Sequence, residues 1–151
     1  MLTPADHEDL TRRLDFLLDE VADFHLYQSV TWEDYKNRRK RREVERWIEN
    51  IINASIDIAK VLLSVKGLEI PQTYREILRD ISLTNLFREE LGLKISEWAS
   101  IRNKLAHEYI DIRWDAIKKF VKESQPLLIE FTNIIKKYLT ESLSDSIEKE
   151  I

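Results

Sequence analysis

Apolar residues recur at spacings of three and four along nearly the whole chain, a period that gives a helix one face for a core. Leu10, Leu14, Leu17, Leu18 and Val21 make the first such stripe. Thr3 followed by Pro4 is a capping residue before a proline at the first helical position, which predicts a helix from there to about Tyr27. Thr31 with Asp34 three residues on predicts a second start, and a long helix from Trp32 to Lys66. Its C-terminal two-thirds carries Val44, Trp47, Ile48, Ile51, Ile52, Ser55, Ile58, Ala59, Leu62 and Leu63, and Gly67 ends it.

Further along, Thr73-x-x-Glu76 reads as a capping box opening a shorter helix through Ile77, Leu78 and Ile81. A start at Ser82 or Thr84 leads through Leu86, Phe87 and Leu91 to Gly92, and the next helix is predicted from about Leu93 to Glu108. Asp111 is placed to cap a last helix from Arg113 to about Leu143, and Pro126 inside that pattern should kink or split it. Residues 142–151 read as a frayed tail. Strand signals are absent, so the chain is predicted to be all-α, one domain over 1–151, folded as an up-and-down bundle of four to five helices.

Composition agrees with that reading. Two glycines and three prolines leave little room for long loops, and a chain of 151 residues can bury a core without staples. There is no cysteine, hence no disulfide framework and no thiolate nucleophile. His7, His25 and His107 show none of the paired spacings of metal ligands, so neither a metal site nor a cofactor is expected. No apolar run approaches a membrane span and the first residues are acidic, which points to a soluble cytoplasmic protein. The net charge of −4 gives no global field for nucleic acid, so any RNA must be held by a local patch.

The segment with most chemistry is Arg102-Asn103-Lys104-Leu105-Ala106-His107-Glu108-Tyr109. Arginine is a planar, permanently charged fork for phosphate oxygens, and histidine gives and takes a proton near neutral pH. Wound at about 100° per residue, Trp98, Ile101 and Leu105 form the apolar stripe, while Asn103 and His107 stack on a face pointing away from it. Arg102 lies between the two, and Tyr109 returns to nearly the angle of Arg102, at the edge of the core with its hydroxyl in water.

These residues resemble the R-x4-H-x-Y signature of the HepT-like toxins, a branch of the all-helical HEPN ribonucleases. The run from Arg41 through Trp47 to Ala59 is similar to that family's second helix, and Gly67 with Pro71 to Glu76 is similar to its helix break and restart; the resemblance spans roughly residues 6 to 140. It implies a homodimeric, metal-independent endoribonuclease acting on tRNA or mRNA. In that scheme His107 handles the proton of the 2′-hydroxyl or of the leaving 5′-oxygen, Arg102 holds the phosphate, and Asn103 orients either. It also implies a partner, an MntA-type nucleotidyltransferase antitoxin that attaches AMP to Tyr109. A non-catalytic HEPN module that pairs with a nucleotidyltransferase is the competing expectation, and a plain helical scaffold the third.

Lys36, Arg38, Arg39, Lys40, Arg41 and Arg42 place six cations in seven residues. They read either as a surface that tracks RNA phosphates or as a solvated helix face pairing with Asp34, Glu43 and Glu45. Trp32 and Tyr35 stack on a base or pack against the first helix. Trp47 and Trp98 belong to the core, and Trp114 is open between a staple and an interface.

Overall fold

The computed structural model describes the backbone of residues 2–150 and the side chains of residues 2–143. It is all-α, with no strand among the described residues. The helices are α1 (Pro4–Ala22), α2 (Phe24–Tyr27), α3 (Trp32–Lys36), α4 (Arg38–Val65), α5 (Tyr74–Arg79), α6 (Glu89–Ser96), α7 (Trp98–His107) and α8 (Ile110–Glu150), with a 3-10 turn at Asp80–Thr84. Helix α1 packs along α4 and α8, and α5, α6 and α7 bridge α4 to α8. One cluster of buried side chains runs through the bundle, with Ile48, Ile51, Ile52, Ile58, Leu62, Leu63, Phe120 and Phe131 at its centre. Each such side chain contributes roughly 1.5–3 kcal/mol by leaving water. No helix among the described residues is long and apolar enough to cross a membrane. The frayed tail expected over 142–151 falls mostly on residues whose side chains lie outside the description.

Helix starts follow the caps closely. The Thr3 hydroxyl accepts from the Asp6 N–H at 3.1 Å while the Asp6 carboxylate accepts from the Thr3 N–H at 3.2 Å, and Thr31 and Asp34 repeat the arrangement. At Thr73 only the forward half forms, the hydroxyl accepting from the Glu76 N–H. Gly67 sits at φ +70° just past α4, with its N–H on the Ser64 carbonyl and the Leu68 N–H on the Leu63 carbonyl. That pair of bonds closes a helix only around a left-handed residue, which glycine adopts freely.

Several boundaries differ from those predicted. The first helix stops at Ala22, where the Trp47 indole N–H takes the Glu20 carbonyl at 2.8 Å. The break lets Phe24 and Tyr27 turn inward onto Trp47, with ring centroids 4.8 and 4.7 Å away. The helix predicted from Trp32 to Lys66 is two helices. Asn37 is extended and its side chain caps α4 through the Lys40 N–H, while Arg41 donates to the last carbonyls of α3, those of Tyr35 and Lys36. Ser82 and Thr84 lie in the 3-10 turn and start no helix; Asn85 follows in the left-handed region and α6 begins at Glu89. Gly92 lies inside α6 because that helix crosses the end of α5 so closely that a Cβ there would lie 2.5 Å from the Arg79 carbonyl oxygen. Asp111 is in the first turn of α8, which begins at Ile110. Pro126 does not split α8: it faces solvent, as does Lys122 one turn earlier, so water can take the carbonyl left without a donor.

Candidate functional site

The motif segment is α7 and the turn after it. Trp98, Ile101 and Leu105 are buried and dock α7 between α4 and α8, so the helix presents Asn103 and His107 to solvent. Helix α7 is shorter than predicted, because Glu97 separates it from α6 and Glu108, extended at ψ 165°, ends it. Tyr109 therefore lies beyond the helix, and its placement at the angle of Arg102 does not hold. Its whole ring, not only its hydroxyl, is in water at 81% exposure.

Arg102 is half-buried and held from two sides. Its Nε donates to Asn53 Oδ1 on α4 at 2.7 Å, and its guanidinium carbon lies 4.8 Å from the centre of the Tyr74 ring at the start of α5. Among the described residues, the terminal nitrogens of the fork take no hydrogen-bond partner, and neither ring nitrogen of His107 has one. Lys60 Nζ lies 5.6 Å from the same Tyr74 ring, which brings a second cation to this corner. Asp57, one turn before Lys60 on α4, is paired with Arg13 at 3.3 Å. Arg102 and His107 are five residues apart, about 7.5 Å along the axis and about 140° around it. In one chain they occupy different flanks of α7.

The turn that follows His107 is anchored from beneath. Arg113, in the first turns of α8, reaches Glu45 with Nε 2.9 Å from Oε2 and Nη2 3.0 Å from Oε1, the Tyr35 hydroxyl at 3.3 Å, and the Glu108 carbonyl at 3.5 Å. Tyr35 is fully buried and donates its own hydroxyl to Glu45 at 3.1 Å. Burial holds Glu45 above the ordinary carboxylate value despite Arg113, so the desolvation falls on the acid. Burial likewise opposes the charge of Arg113, but Tyr35 and Glu45 outweigh it and its pKa is raised. The Tyr35 phenol is pushed up to about 12 by burial, against the pull of Arg113.

The basic run is divided by the Asn37 break. Lys36 pairs with Glu33 at 3.1 Å, Lys40 lies over the Tyr27 ring at 5.3 Å, and Arg41 is committed to the α3 carbonyls. Arg38, Arg39 and Arg42 stand exposed at the start of α4 with no ion-pair partner among the described residues. The expected pairing with Asp34, Glu43 and Glu45 does not form: the acids serve the Thr31 cap, the Tyr27 hydroxyl and Arg113. Tyr35 is core, Trp32 packs against Trp114 and Tyr35 and not against α1, and Trp47 and Trp98 are buried as predicted.

Asn53, Lys60, Tyr74, Glu45 and Arg113 were not singled out as site residues from the sequence. The one signal was Asn53, a polar residue amid Ile51, Ile52 and Ala54. Nothing in spacing links it to Arg102, which only packing of α4 on α7 brings near. His7 and His25 bind the Leu139 and Ala22 carbonyls, far along the chain from the motif.

The family described as Ribonuclease HepT-like matches residues 17–135. This chain belongs to the HepT-like ribonuclease family. The match takes in Arg102, His107, Tyr109, their supports Asn53, Tyr74, Glu45 and Arg113, and the whole basic run. No curated protein matches the chain.

Proposed function

We propose that the chain is a metal-independent endoribonuclease, the toxin of a HepT/MntA-type toxin–antitoxin pair, acting on cellular RNA in the cytoplasm. The carrying observation is on α7. Arg102 is fixed through Nε and its ring contact so that the rest of its fork is open, while His107 stands exposed with no hydrogen-bond partner among the described residues. A group braced in this way loses little freedom when it takes a phosphate. The attacking oxygen is the 2′-hydroxyl of the RNA. His107 accepts its proton as the bond to phosphorus forms, and the imidazolium so made returns that proton to the 5′-oxygen as its bond to phosphorus breaks. The products carry a 2′,3′-cyclic phosphate and a 5′-hydroxyl, and Arg102 holds the charge that develops on the phosphoryl oxygens.

Because Arg102 and His107 flank α7 on different sides, the working site takes its second set of groups from another copy of the chain, with two α7 helices facing each other. Asn103, one turn before His107, orients the imidazole or the phosphate across that cleft. The 81% exposed Tyr109 beside it is open to AMP transfer from a nucleotidyltransferase antitoxin. Added phosphate there would repel and occlude RNA. The same angular separation favours a second reading, a HEPN module that pairs with the nucleotidyltransferase without cutting. The two are separated by incubating a tRNA and mRNA pool in EDTA with wild type, His107→Ala and Arg102→Ala. The nuclease predicts cyclic-phosphate ends from wild type alone, with unchanged circular dichroism in all three. Cleavage that persists in His107→Ala sinks the assignment, and none from a dimeric wild type supports the binding module.

A further inference from the structure

A cavity of about 310 Å³ lies between α8 and the segment that follows α2, lined by Gln28, Val30, Trp114, Lys118, Val121, Lys122 and Gln125. Its lining contains no carboxylate, in a chain whose net charge is −4. The cavity of about 600 Å³ between α6, α7 and α8 differs, since three glutamates line it and two of them are paired to Arg88 and Lys119. Trp114 forms an aromatic wall, stacked on Tyr35 with centroids 5.1 Å apart and flanked by Trp32 at 6.0 Å. Lys118 lies over its ring at 5.8 Å, and its other contact is Asp115 at 3.3 Å, where both side chains are more than half exposed. Lys122 has no ion-pair partner, and the carboxamides of Gln28 and Gln125 make no side-chain hydrogen bond among the described residues.

We infer that this cavity is a nucleotide subsite, taking one base of single-stranded RNA near the cleaved bond. Trp114 offers a face for stacking, the two carboxamides each offer a donor and an acceptor to a base edge, and Lys118 and Lys122 reach its phosphates. The Lys118 contact is loose enough for a base to replace it on the ring while the ammonium turns to phosphate. Trp114, at the end of the cavity nearer the motif turn, is five residues past Tyr109, about 7.5 Å on, and Gln125 at the other end is about 24 Å on. On the other side, Trp32 leads within one turn to Lys36 and then to the exposed Arg38 and Arg39. A strand leaving the α7 turn thus meets an aromatic pair with cations beyond it. The link to cleavage rests on the proposed nuclease; the nucleotide site does not.

The test uses the four indole N–H resonances of the full chain, one per tryptophan. Titration with AMP, GMP, CMP and UMP, which the proposed reaction cannot consume, should shift the Trp114 resonance saturably and leave those of the buried Trp47 and Trp98 in place. Gln125→Ala and Lys122→Ala lie outside the catalytic machinery and remove no core contact. Each should weaken the best nucleotide about fivefold, the scale of one lost hydrogen bond or charge contact. In cleavage of a randomised oligoribonucleotide, Gln125→Ala should flatten the base preference at one position near the cut. Nucleotide binding that needs Lys122 and Gln125, without cleavage by any form, would sink the nuclease and support the subsite. Cleavage with no indole shift and an unchanged base preference in Gln125→Ala would overturn the subsite, and so would equal shifts of all four resonances.

Discussion

Replacing Arg113 by alanine should show how far the motif turn depends on the ion pair beneath it. The guanidinium makes two contacts to Glu45, at 2.9 and 3.0 Å, and the side chains are 23% and 15% exposed. Breaking a fully buried pair costs about 3–5 kcal/mol and an exposed pair about 0–1, so this site should lose about 2 kcal/mol. The hydrogen bond to Tyr35 adds about 0.5–1 kcal/mol. The expected loss of about 2–3 kcal/mol corresponds to a fall in Tm of about 5–10 °C for a chain of this size. Most of it arises because the Glu45 carboxylate is left buried with only the Tyr35 hydroxyl. Its folded pKa already lies above the unfolded value of 4.5 through burial, and loss of Arg113 raises it further. For a raised acid, the stabilising contribution is full below the unfolded pKa and is lost as pH rises through the folded one. The variant's deficit should therefore be large near neutrality and shrink toward pH 4.5. Glu45→Gln added to Arg113→Ala should recover about 1 kcal/mol or more at neutral pH, because it removes the stranded charge and keeps an acceptor for Tyr35. Urea unfolding followed by tryptophan fluorescence at both pH values measures each corner of the cycle. A deficit below about 0.5 kcal/mol, or one that does not change with pH, would refute the reasoning.

Gly92→Ala should lower stability by about 1–2 kcal/mol although alanine is the better helix former, since its Cβ would press on the Arg79 carbonyl; a raised calorimetric Tm would contradict it. Converting Arg38, Arg39 and Arg42 to glutamine should weaken RNA binding and reduce its salt slope by up to about three counterions, with melting nearly unchanged. Unaltered affinity at low salt would make the run a solvated face. Tyr109→Phe should fold like wild type, given the 81% exposure of the ring, and should lose any AMP-sized mass added by a cognate nucleotidyltransferase; equal additions to both proteins would move the modified residue elsewhere.

Periodicity and caps are local properties, and they were legible without a structure. The stripes on α1, α4 and α7, the caps at Thr3 and Thr31 and the stop at Gly67 each depend on residues a few positions apart, where chain geometry leaves few options. So did the exposure of Asn103 and His107, which follows from Trp98, Ile101 and Leu105 claiming the opposite face. What tertiary structure decided involves partners far apart in sequence. The break after Ala22 draws on Trp47 reaching the Glu20 carbonyl, and the interior placement of Gly92 on the closeness of Arg79. The break at Asn37 is capped locally, yet it matters because it turns Tyr35 into the core beside Glu45 and Arg113, dividing the basic run. At the site, the sequence determined which chemical groups were present and in what order along α7. Packing decided which were held, because Asn53 and Tyr74 hold one side of Arg102 while His107 is exposed with no hydrogen-bond partner among the described residues.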